Sequence, residues 1–143
     1  MQTPPDRSSG RPLLVWLISI YFFLSASWTI TSFFLIRIGA VPLNPAQKTY
    51  FESLNGADYL LTIIGALLSI SAAISLFLLR KAAYYLFCAS LAFNMAFTIW
   101  HIISRHWLSV IGVGGLAGAA VGWLILFAIC LYTARLTAQG TLK

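Results

Sequence analysis

Four long uncharged stretches, each bounded by charged residues, organise this chain. They run from Arg11 to Arg37 (25 residues between), Asp58 to Arg80 (21), Lys81 to Arg105 (23) and Arg105 to Arg135 (29). Each exceeds the ~20 residues that a helix needs to cross ~30 Å of hydrocarbon. A backbone inside lipid must satisfy its own hydrogen bonds, so these stretches read as helices. The expected spans are Leu13–Ile36, Tyr59–Leu79, Ala82–Ile103 and Leu108–Tyr132. A closed barrel would need about eight or more strands of alternating polarity, and the chain has no such alternation.

The connections fix the topology. Arg80-Lys81 and Ser104–Trp107 leave room only for tight turns, so neighbouring spans are antiparallel. The predicted fold is all-α: a compact up-down four-helix bundle in the membrane. It occupies residues 13–132 between short cytoplasmic tails, 1–12 and 133–143. The 37–58 connection is the one loop of substance. Asn44 is placed to cap a short helix, Pro45 to open it and Gln47 to complete a capping box. Asn55-Gly56 is a natural stop, so a helix over 45–54 is expected. Tyr50, Phe51 and Leu54 give it an apolar side, with Ala46 in line. It reads as an interfacial lid, or as a docking surface for a lipid-like ligand. Asp58 then falls in the first turn of the second span, where a carboxylate suits the helix dipole.

Composition agrees with the pattern. Of the 143 residues, 60% are hydrophobic and only 8% charged, and mean hydropathy is +0.89. A soluble domain carries about 25% charge, so both a water-soluble body and a disordered chain are excluded. The net charge of +6 does not point to nucleic acid, because the basic residues are scattered at span borders. Trp16, Tyr59, Tyr84, Tyr85, Trp100, Trp107 and Tyr132 lie near span ends, as interfacial anchors do.

Arg7, Arg11, Arg80, Lys81, Arg135 and Lys143 fall on one side of the membrane; Arg37, Lys48 and Arg105 fall on the other. The bias places both termini in the cytoplasm. Arg7 and Arg11 before an apolar run resemble the start of a signal peptide. The run continues past Ser25-Ala26-Ser27 to Ile36, however, which favours an uncleaved span. A bacterial inner (plasma) membrane is the expected location.

Small residues mark two spans. Gly114, Gly118 and Gly122 recur every four positions in the fourth span; Gly65, Ser69 and Ala73 do so in the second. Such faces let another backbone approach closely, either inside the bundle or at an oligomer seam.

Candidate chemistry is sparse. No Asp, Glu, Lys or Arg lies inside a span, which counts against an ion-coupled transporter and against paired-carboxylate catalysis. The third span carries one polar stripe: Ser90, Asn94, Thr98, His101 and Arg105, at steps of three or four. Asn94 should seek a partner, with Ser69, Ser71, Ser25 and Thr29 as candidates. The stripe reads either as interhelical glue or as an outward-opening pocket with His101 and Arg105 at its mouth. His101 and His106 lack the spacing and the acidic neighbours of a metal site, although Asp58 or Glu52 could approach from the same side. A second span histidine for bis-His haem is missing. Cys88 and Cys130 fall at similar depth and read as buried small hydrophobes.

No catalytic residue, metal or cofactor is therefore predicted. The expected function is association, as an accessory subunit of a membrane complex or as a homo-oligomer. Its expected partners are the lipid bilayer, a second copy or a larger membrane protein. One alternative is binding or transport of a small solute or lipid-like ligand. Another is a membrane enzyme or a metal or haem site using His101.

Overall fold

The structure, a computed structural model, describes residues 12–105 and 107–142, without the side chains of Arg105, Leu108, Ser109 and Ile111. Arg7, Arg11, His106 and Lys143, for which the sequence carries expectations, lie outside the described residues. Five helices follow in order: α1 Leu13–Arg37, α2 Pro45–Ser53, α3 Gly56–Phe77, α4 Ala82–Arg105 and α5 Trp107–Ala138. Four of them, α1, α3, α4 and α5, are long and apolar enough to cross a membrane. The protein is an all-α, multi-pass membrane protein with a short extra helix between its first two spans.

Local chemistry sets the helix ends. Asn44 accepts from the Gln47 amide at 2.8 Å, and the Gln47 side chain accepts from the Asn44 amide at 3.1 Å, closing the expected capping box. Asn55 acts differently from its expected part as a stop. It opens α3, accepting from the Asp58 amide while Asp58 Oδ2 accepts from the Asn55 amide. This reciprocal pair starts the second span at Gly56, before the expected Tyr59, because it satisfies two otherwise unpaired amides.

Three helices close with a residue in the left-handed region. Gly39 ends α1 with φ +72°, Leu79 ends α3 with φ +53° and Gly140 ends α5 with φ +68°. The next amide reaches back each time, Ala40 to Leu35 O, Arg80 to Ser75 O and Thr141 to Leu136 O. This paired closure caps carbonyls that would otherwise lack partners. It lets Leu78–Lys81 turn the chain within the four residues between α3 and α4.

α1 lies on α3, α3 on α4 and α4 on α5, and the short α2 packs against α5, whereas α1 and α5 are not among the closely packed pairs of the described residues. The apolar core sits at the end remote from α2. Val15, Ile18, Phe22, Leu76, Phe87 and Ile129 are buried there, with the Phe22 and Phe87 rings 5.2 Å apart edge to face. Cys88 and Cys130 are free thiols at this core, Cys130 buried and Cys88 only half-buried.

The other end of α5 is kinked. Gly112 has φ +62° and ψ −167°, which breaks the helix between its first turn and the long segment that follows. Only a glycine adopts that backbone readily. Beyond it Val113, Gly114 and Gly118 are exposed. A Cβ built on Gly114, Gly118 or Gly122 would meet nothing within 4 Å. Inside the bundle these glycines therefore bring no backbone close. Gly65 does lie in a tight contact, but with the Phe93 ring of α4 rather than with α5.

Candidate functional site

A cavity of about 230 Å³ lies in the middle of the spans, between α1 and α5. α1 contributes Tyr21, Phe22, Ser25 and Thr29 to its wall. α3 contributes Thr62, Gly65 and Ser69; α4 contributes Phe93, Asn94 and Phe97; α5 closes it with Gly122, Ile125 and Leu126. No lining residue carries a charge. Tyr21 and Ser25 on α1, and Ile125 on α5, are exposed, so the cavity reaches the bundle surface between these two helices.

A polar chain forms one side of the wall. Ser69 Oγ donates to Gly65 O at 3.0 Å and lies 3.0 Å from Ser90 Oγ. A hydroxyl has one proton, so with Ser69 committed to Gly65 the Ser90 hydroxyl donates to Ser69. Asn94 Nδ2 donates to Ser90 O at 2.8 Å. A carbonyl oxygen can only accept, which fixes the amide orientation and leaves Asn94 Oδ1 facing away from that bond. Ser90 itself is fully buried. It works between α3 and α4 rather than lining the cavity.

Above the cavity, towards α2, sits a second constellation. His101 and Asp58 are each 4% exposed. His101 Nδ1 lies 3.0 Å from Tyr50 Oη, and its Nε2 lies 3.9 Å from Asp58 Oδ1. The Tyr50 hydroxyl can donate to Nδ1 when the ring proton sits on Nε2, on the side of Asp58. The Phe97 ring stands edge to face on His101, with centroids 4.3 Å apart. On the α3 side, Thr62 Oγ1 donates to Asp58 O. Cavity and cluster thus share two walls, one helical turn apart.

The cluster also docks α2. That helix has no buried residue. Tyr50 reaches His101, and Phe51 packs edge to face on Phe33 of α1. Leu54 is half-buried in the same face, whereas Ala46 is exposed. Lys48 and Glu52 form an exposed pair at 3.9 Å, so Glu52 stays away from His101. Arg37 lies over the Tyr59 ring, 5.7 Å from its centroid, beside this platform.

The predicted stripe is therefore divided by the fold. Asn94 lines the cavity, Ser90 holds α4 to α3, and His101 belongs to the outer cluster. Thr98 is half-buried and lines no described cavity, and the Arg105 side chain lies outside the described residues. Of the proposed partners for Asn94, Ser69 joins it through Ser90, and Ser25 and Thr29 share its cavity. Ser71 is exposed. In the other small-residue face, Ala73 is buried and its carbonyl accepts from Ser19 of α1 at 3.3 Å.

Sequence reasoning missed the part played by Tyr21, Thr62, Phe93 and Phe97. Their one available signal was the spacing of Phe93 and Phe97 from Asn94 and His101 on a single helix. Among the described residues no three His, Cys, Asp or Glu side chains gather as a metal site would require. The chain matches no protein-family model, no curated protein and no solved structure.

Proposed function

We propose that the protein binds a small amphiphilic molecule in the cavity between α1 and α5, taken laterally from the bilayer. The observation that carries this reading is a polar wall at mid-span, facing an uncharged space that reaches the lipid side of the bundle. Polar groups at that depth are costly unless they meet a partner. The aromatic walls and the absence of charge suit a molecule with one polar end and an apolar remainder.

The test is native mass spectrometry of protein gently extracted from its own membrane. Wild-type protein should retain a defined non-protein mass. Asn94→Trp, which fills the cavity, should lose it while still folding. Wild-type protein free of any such mass would overturn the reading.

A second reading is association through α5. It is favoured by the open space over Gly114 and Gly118, which leaves their flat surface available to another helix. Gly118→Leu should then lower the oligomeric mass in nanodiscs without disturbing insertion. An unchanged mass would exclude it.

A further inference from the structure

Apart from those of Tyr21 and Ser25 at the rim, the side-chain protons of the cavity wall are already directed to partners on their own helices. Thr29 Oγ1 donates to Ser25 O at 3.0 Å, and Thr62 Oγ1 donates to Asp58 O at 2.9 Å. Ser69 donates to Gly65 O, and both the described bonds of the Asn94 amide use Nδ2 as donor. Each of these side chains therefore turns lone pairs, not protons, to the space they line. Asn94 Oδ1 has no described hydrogen-bond partner at all. Ser25 and Tyr21, whose hydroxyl protons are not committed to any described partner, are exposed at the rim.

We infer that the cavity selects a neutral headgroup that donates hydrogen bonds, such as an alcohol or a phenol, over ethers, esters and anions. This rests on the ligand-binding reading above and narrows its ligand class. The warrant is the proton inventory. A buried acceptor facing another acceptor gains nothing, whereas one facing a donor is satisfied. An anionic lipid headgroup would bring further acceptors to a wall that already has them, with no Lys or Arg lining the cavity to offset the charge. The Phe93 and Phe97 rings, stacked with centroids 5.8 Å apart and 14° between planes, give the donor's carbon frame an aromatic wall. Asn94 Oδ1 is the acceptor on which discrimination turns. Thr62 of α3 and Thr29 of α1, each able to accept a further bond, line the same cavity.

The test compares para-octylphenol with its methyl ether, para-octylanisole. The pair shares ring and tail and differs in the single donor. Binding to the full chain in nanodiscs is measured as excess over empty nanodiscs. The phenol should bind at least about tenfold more tightly than the ether, as expected for one well-made hydrogen bond in a dry site. Asn94→Leu, close in volume, should bring the ratio of phenol to ether binding close to one. Equal binding of the two probes to wild-type protein would overturn the donor rule and leave the cavity reading standing. Tighter binding of the ether would do the same. Absence of saturable excess for either probe would overturn both.

Discussion

The hydroxyl of Tyr50 lies 3.0 Å from Nδ1 of His101, tying an interfacial helix to the third span. An isolated nine-residue helix is too short to be stable in water. α2 therefore depends on its capping box and on what it touches. Tyr50→Phe keeps the ring on the bundle and removes only the hydroxyl. Loss of that bond should cost about 1 kcal/mol. Hydrogen exchange should accelerate across 45–53 and stay unchanged in α3. Unaltered exchange in 45–53 would mean that Phe51 on Phe33 and the packing of α2 against α5 hold the helix without it.

Asp58 serves two neighbours, and its substitutions should separate them. Its Oδ2 caps α3 through the Asn55 amide, and its Oδ1 faces His101. Asp58→Asn keeps an oxygen for the cap but removes the negative charge beside the imidazole. Asp58→Ala removes both and leaves buried polar groups bare, at a cost of about 1–3 kcal/mol. Melting in detergent should therefore rank wild type highest, Asp58→Asn next and Asp58→Ala lowest. A reversed order of the two variants would show that the carboxylate is a liability in this setting.

Gly65 governs the shape of the cavity from behind. A Cβ at this position would come 2.8 Å from Phe93 Cε1. That atom belongs to a ring that can swing, and Phe93 lines the cavity. Gly65→Ala should thus fold normally yet change retention of the bound molecule several-fold. Phe93→Leu added to Gly65→Ala relieves the contact and should restore retention. The two substitutions share one contact, so their effects should be non-additive. Additive losses would place the effect of Gly65 elsewhere.

These residues also show what could be read before the fold was known. The four spans were legible because lipid leaves the backbone few choices. The Asn44–Gln47 box was legible because its chemistry is local. His101 and Asp58 were legible as candidates for one side of the membrane, since both lie near span ends on that side. The selection of Asp58 over Glu52 was not, because it depends on which face of α2 docks. The cavity was legible only through Asn94. Its α1 and α5 walls come together only through how the helices pack, and no periodicity within one helix records that. The glycines of α5 were the most ambiguous signal, since a packing face and an open face share the same spacing.

Alanine substitution divides those glycines into two kinds. Gly112, at φ +62° and ψ −167°, occupies a backbone region closed to residues with a Cβ. Gly112→Ala must either strain the chain by about 1–3 kcal/mol or straighten α5 and move its first turn. Gly114 and Gly118 are helical and meet nothing. Gly114→Ala and Gly118→Ala should be neutral in a monomer, or slightly stabilising, because alanine is the better helix former by about 1 kcal/mol. Thermal melting of the three variants in monomer-forming detergent should show a loss for Gly112→Ala alone. The same set in nanodiscs adds a second comparison. If Gly118→Ala is neutral in detergent but destabilising there, a neighbouring helix occupies the open face. If it is neutral in both, α5 meets only lipid at that position, and the association reading fails on the surface that favoured it.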